Sequence, residues 1–113
     1  MAFMVPSMLR ANQPVSDAQL VSGVQYAMRT TQHYILQPRS PLVNPTKQFR
    51  LLEEGYLVLD AAERRGLQLQ RMLDLNALGR LRALLERLQE QMHSRGVTAA
   101  SLAMRSRAQN QYR

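Results

Sequence analysis

The chain contains no cysteine and no tryptophan, and only 5% of its residues are aromatic. Without cysteine it can form no disulfide, no thiolate zinc site and no cysteine nucleophile. Few aromatics alongside seven methionines suit leucine-rich helix packing better than a sheet core. Apolar runs of the length needed to cross a bilayer, about eighteen residues, are also missing, so no membrane span is expected. The opening MAFMVPSMLRAN lacks both the basic start and the apolar centre of a secretory signal. Synthesis in the cytoplasm is the expectation, with later incorporation into a virion or another large assembly as its extension.

Carboxylates are scarce at both ends. Residues 1–52 hold five basic side chains and one acidic, residues 53–90 six and seven, and residues 91–113 four and none. The total is +7, with positive ends and a balanced middle. That layout favours an acidic protein, an anionic surface or nucleic acid, through attraction that does not depend on sequence. Fourteen of the fifteen basic residues are arginine, which suits interfaces and phosphate forks; a GC-rich genome would produce the same bias.

What is present is a leucine seam. In LQLQRMLDLNALGRLRALLERLQEQMHSR, residues 67–95, the side chains Leu78, Leu81, Leu85, Leu88 and Met92 recur at spacings of 3, 4, 3 and 4, which places them on one helix face. With Leu84 and Ala77 beside it, this face is wider than the line of a two-stranded coiled coil, so it predicts a bundle helix covered by more than one neighbour. Upstream the register fails. Asp74, Asn76 and Gly79 have low helix propensity, and a kink or break is expected between Leu73 and Gly79. A helix over all of 67–95 would be roughly 44 Å long, which is long for a chain of this size to cover unaided.

In chain order, residues 1–13 show no periodicity and contain Pro6, which predicts an extended apolar arm carrying Phe3, Val5 and Leu9. Residues 14–113 are then read as one helical domain. Ser16 and Gln19 have capping-box spacing, and Val15 with Leu20 has that of a hydrophobic staple, so a helix is expected at about 17–36, ended by Pro38. The prolines of QPRSPLVNP make a stiff connection. Asn44 followed by Pro45 predicts the next helix start, with Phe49, Leu52, Tyr56 and Leu59 as its core stripe and Gly66 as its end. The seam helix at 67–95 follows, and then a short helix at about 98–109. The fold class is therefore all-α, a small helical bundle or extended helical hairpin of three main helices plus a short C-terminal one, with an N-terminal arm.

Tests for chemistry return little. His33 and His93 stand far apart in sequence, the adjacent Glu53 and Glu54 diverge on a helix, and Glu86 with Glu90 sit among arginines as a solvated charge lattice. No catalytic, cofactor-binding or metal residues are assigned, and no small-molecule substrate is expected. Ala62, Gly66, Leu67, Met72 and Leu75 resemble part of a DNA-binding helix-turn-helix. On that alternative Gln68, Gln70 and Arg71 would read base edges, and Arg105 and Arg107 would contact phosphate. Arg65 stands where such motifs hold a core residue. The preferred expectation is a non-enzymatic interaction or assembly subunit, such as a phage or viral connector component or a secretion adaptor. It would form a homo- or hetero-oligomer through Leu78, Leu81, Leu85, Leu88 and Met92 together with Phe3, Val5 and Leu9.

Overall fold

The computed structural model describes residues 4–37, 44–66, 69, 71–74 and 76–96. These residues are all-α, with α1 at Val5–Arg10, α2 at Asp17–Leu36, α3 at Pro45–Arg65 and α4 at Ala77–Ser94. Helices α2, α3 and α4 pack mutually, and α1 lies against α2 and α3. Arg65 at the end of α3 pairs with Asp17 at the start of α2, so these two run antiparallel. Arg82 meets Glu63, and Tyr56 reaches Gln89, so α4 runs antiparallel to α3 and alongside α2. The expected C-terminal helix at 98–109 lies outside the described residues.

Local chemistry sets the helix starts. Gln19 N–H donates to Ser16 Oγ at 3.1 Å, while Ser16 N–H donates to Gln19 Oε1 at 2.9 Å. That is the complete capping box, which satisfies two otherwise unpaired donors, and Val15 and Leu20 are both buried beneath it,. At α3, Lys47 N–H donates to Asn44 Oδ1 at 2.8 Å, with proline in the first turn. The chain leaves α3 at Gly66 with φ of 69° and ψ of −138°, a backbone conformation that suits glycine.

Two expectations need correction. Residues 5–10 are not extended: Pro6 falls in the first turn of α1, where its missing N–H costs nothing,. The helix then stops at Asn12, φ 54°, with Gln13 N–H donating to Met8 O at 2.9 Å and Asn12 N–H to Leu9 O at 3.2 Å. This pair of bonds is a Schellman ending with asparagine in the left-handed position. The second correction concerns the long seam helix. No single helix runs over 67–95; Arg71–Leu73 form a turn, and α4 begins only at Ala77, after Asn76 at φ 63°. The break lies in the weak-propensity stretch, and Leu69 on its near side is fully buried in the core.

The core itself is the leucine face of α4 against α2 and α3. Leu81, Leu85 and Leu88 are 0% exposed, beside Leu20, Val24, Val58 and Leu59. Burying each leucine stabilises the fold by about 1.5 to 3 kcal/mol relative to leaving it in water. Gly55 lets α3 and α4 approach closely, since a Cβ there would stand 2.6 Å from a Leu85 methyl.

Candidate docking surface

The seam is internal. Leu81, Leu85, Leu88 and Met92 are buried under the chain's own α2 and α3, and Leu78 is half-buried at the edge. Expected as contacts for another chain, they are instead the bundle core, because α2 and α3 suffice to cover a face of this width. Val5 is likewise buried, lying 3.3 Å from where a Cβ on Gly23 would sit, and Leu9 is half-buried against the same core. Phe3 lies outside the described residues. So do Gln68, Gln70, Arg105 and Arg107 of the nucleic-acid reading. Arg71 is exposed, but it stands in a turn, whereas a recognition helix would have to continue through Leu75.

What remains open lies along the outer face of α2. The large apolar side chains most exposed among the described residues are Leu36 at 71%, Met4 at 63% and Met72 at 49%. All three flank α2. Its outer line of Ala18, Ser22, Gln25, Arg29, Gln32 and Leu36 follows helical spacing, and each of these residues is exposed. On one side of the line, α1 and α2 enclose a groove of about 640 Å³ with Met4 and Met8 as its wall and Ala18, Ser22 and Gly23 as its floor. On the other side, Met28, Met72 and Leu73 border a smaller depression of about 320 Å³. Gln25 and Arg29 belong to both hollows, which makes them one continuous surface.

The charges around this surface are uneven. No carboxylate lines the larger groove. Asp17, at the start of α2, is engaged by Arg65 at 2.5 Å, and a second nitrogen of Arg65 donates to the Val15 carbonyl. Arg10 of α1 lies 3.7 Å from Glu54 of α3. In the smaller depression Asp74 lies 3.7 Å from Arg80. Arg29 has no carboxylate within ion-pair distance among the described residues, so the shared rim of the two hollows is positive.

Elsewhere the chemistry is sparse. No group of three possible metal ligands occurs among the described residues, and His33 and His93 are both exposed. Burial pushes the hydroxyl pKa of Tyr34 upward, with Tyr26 adding to it. Burial also raises that of Tyr56, with Glu86 reinforcing the rise and Arg82 opposing it. Thr31 Oγ1 and Gln91 Oε1 are buried without a hydrogen-bond partner, although Gln91 Nε2 donates to the Ile35 carbonyl at 3.4 Å. No helix among the described residues is long and apolar enough to cross a membrane.

Periodicity missed this candidate surface because it is assembled from α1, α2 and the turn before α4, none of which carries the pattern alone. One signal was available: no Asp or Glu lies between Asp17 and Glu53, so the solvent face of α2 beyond Asp17 had to lack carboxylates. Comparison of the chain with protein-family models, curated proteins and solved structures finds no match.

Proposed function

We propose that the protein is a non-enzymatic helical interaction module, a small basic subunit that docks onto a partner protein within a larger assembly through the methionine-flanked outer face of α2. The observation that carries this reading is the placement of exposed Met4 and Met72 at two hollows that share Gln25 and Arg29 of α2. Scattered exposed apolar residues are ordinary, whereas a contiguous patch with a groove in it is the usual mark of an interaction site. Methionine strengthens the case, since its unbranched side chain adapts to varied apolar surfaces. The setting we put forward is a phage or viral particle or a secretion complex, in which small helical subunits connect larger ones. The turn at Arg71–Leu73 gives a DNA-reading helix no support.

The test is a photo-crosslinking residue placed at Met4, at Met72 and, as a control on the α4 surface, at Glu90, in cells that make the protein natively. A discrete protein adduct from Met4 and Met72, absent from Glu90, is expected. Adducts from all three positions alike, or from none, would remove the basis for the proposal.

A further inference from the structure

We infer that the α1–α2 groove receives the apolar face of an acidic amphipathic helix from a partner protein, with a partner carboxylate set against Arg29. This deepens the docking reading above and rests on it. The first warrant is shape. Ala18, Ser22 and Gly23 keep the floor low, while Met4 and Met8 form a wall that can adjust,. From Ala18 to Arg29 the groove follows about three helical turns, roughly 16 Å, which matches a helix presenting anchors at i, i+3 or i+4, and i+7.

Charge identifies the occupant. Arg29 closes the groove at one end, and no carboxylate lines it. A helix with a Glu or Asp at that end gains an ion pair, while a basic helix meets like charge. A second copy of this chain fits poorly, because two molecules of formal charge +7 repel at long range. Its own α1–α2 surface also has no unengaged carboxylate to offer, since Asp17 is held by Arg65. The chain's residues 97–113 fit no better, with Arg105, Arg107 and Arg113 and no acidic residue.

The experiment uses the full chain as bait for a displayed library of helical peptides about fourteen residues long. Leu or Met is fixed at i, i+4 and i+7, and the flanking positions are randomised between Glu and Lys. Peptides with a glutamate flank are expected to be enriched. Arg29→Glu should weaken them by about tenfold or more and turn the selection toward lysine, while Met4→Asp, at a side chain already in solvent, should weaken every selected peptide. Selection without charge preference, the same peptides on wild type and Arg29→Glu, or no selected peptide overturns the inference. So does Met4-dependent binding to phosphatidylcholine–phosphatidylserine vesicles in place of peptide, or a dimer that Met4→Asp dissolves. Crosslinks from Met4 and Met72 to a protein, combined with a failed selection, would reject this occupant and leave the docking reading standing; absent crosslinks reject the docking reading itself.

Discussion

The inner face of α4 and the methionines that border the outer face of α2 are both apolar, yet they end in opposite circumstances. Leu81, Leu85 and Leu88 are contributed by one helix at regular spacing and are fully covered by the chain's own helices. Met4, Met8, Met28 and Met72 come from three separate places in the chain and line two neighbouring hollows, Met4 and Met8 the larger and Met28 and Met72 the smaller. The difference teaches that regular spacing marks what a small bundle uses to close itself. What the closed bundle fails to cover stays at its surface, and there the spacing is irregular.

The comparison can be broken most severely on the inside. Leu81→Asp combined with Leu88→Asp forfeits two buried leucines, each worth about 2 to 5 kcal/mol, and strands two charges where desolvation costs several kcal/mol each. The sum matches or exceeds the whole stability of a typical domain, about 5 to 15 kcal/mol. Circular dichroism should show no cooperative melt; a wild-type midpoint would mean that the seam is not the core.

Val5→Asp asks how far the groove wall is separable from the bundle. Its loss should release α1 at a cost of about 2 kcal/mol, with hydrogen exchange rising at Met8 and Ala11 amides while α2, α3 and α4 stay protected. Uniform loss of protection would show that α1 is part of the core. Two glycines sharpen the contrast between inside and outside. Gly55→Ala gains helix propensity but drives a methyl into Leu85, for a net loss of about 1 kcal/mol. Gly79→Ala meets nothing within 4 Å and should add about 0.5 to 1 kcal/mol. Denaturant titration should give opposite signs for the pair. The smallest effect belongs to the exposed methionines: Met4→Gln with Met72→Gln should shift stability by less than about 0.5 kcal/mol. A larger destabilisation in the same titration would mean that these methionines hold the fold.

How much could be read in advance follows from the range of each interaction. Ser16 with Gln19 and Asn44 with Pro45 act within four residues, so α2 and α3 were legible to their ends. The leucine seam gave the core face of α4, and the low propensity of Asp74, Asn76 and Gly79 gave the break before it. The seam's partner was misread, because spacing defines a face and says nothing of which face meets it. Helix α1 escaped detection since six residues are too few to show a period, and its ending at Asn12 is a backbone arrangement with only a weak sequence mark. The groove was illegible for a further reason, its floor and wall coming from different helices whose docking depends on the fit of Val5 to Gly23.

Arg65 gives α1 a mechanical character. Its two nitrogens fasten Asp17 and the Val15 carbonyl, so the segment leaving α1 is clamped just before α2 begins. The other end of α1 is held by the contact of Val5 with Gly23, which has no directional bond in it. A short rod tied at one end and resting at the other behaves as a lever with its fulcrum near Arg10, where the chain turns toward the clamp and Arg10 lies beside Glu54 of α3. Displacement would then be greatest at Met4, so a bulky occupant would widen the mouth of the groove far more than its closed end.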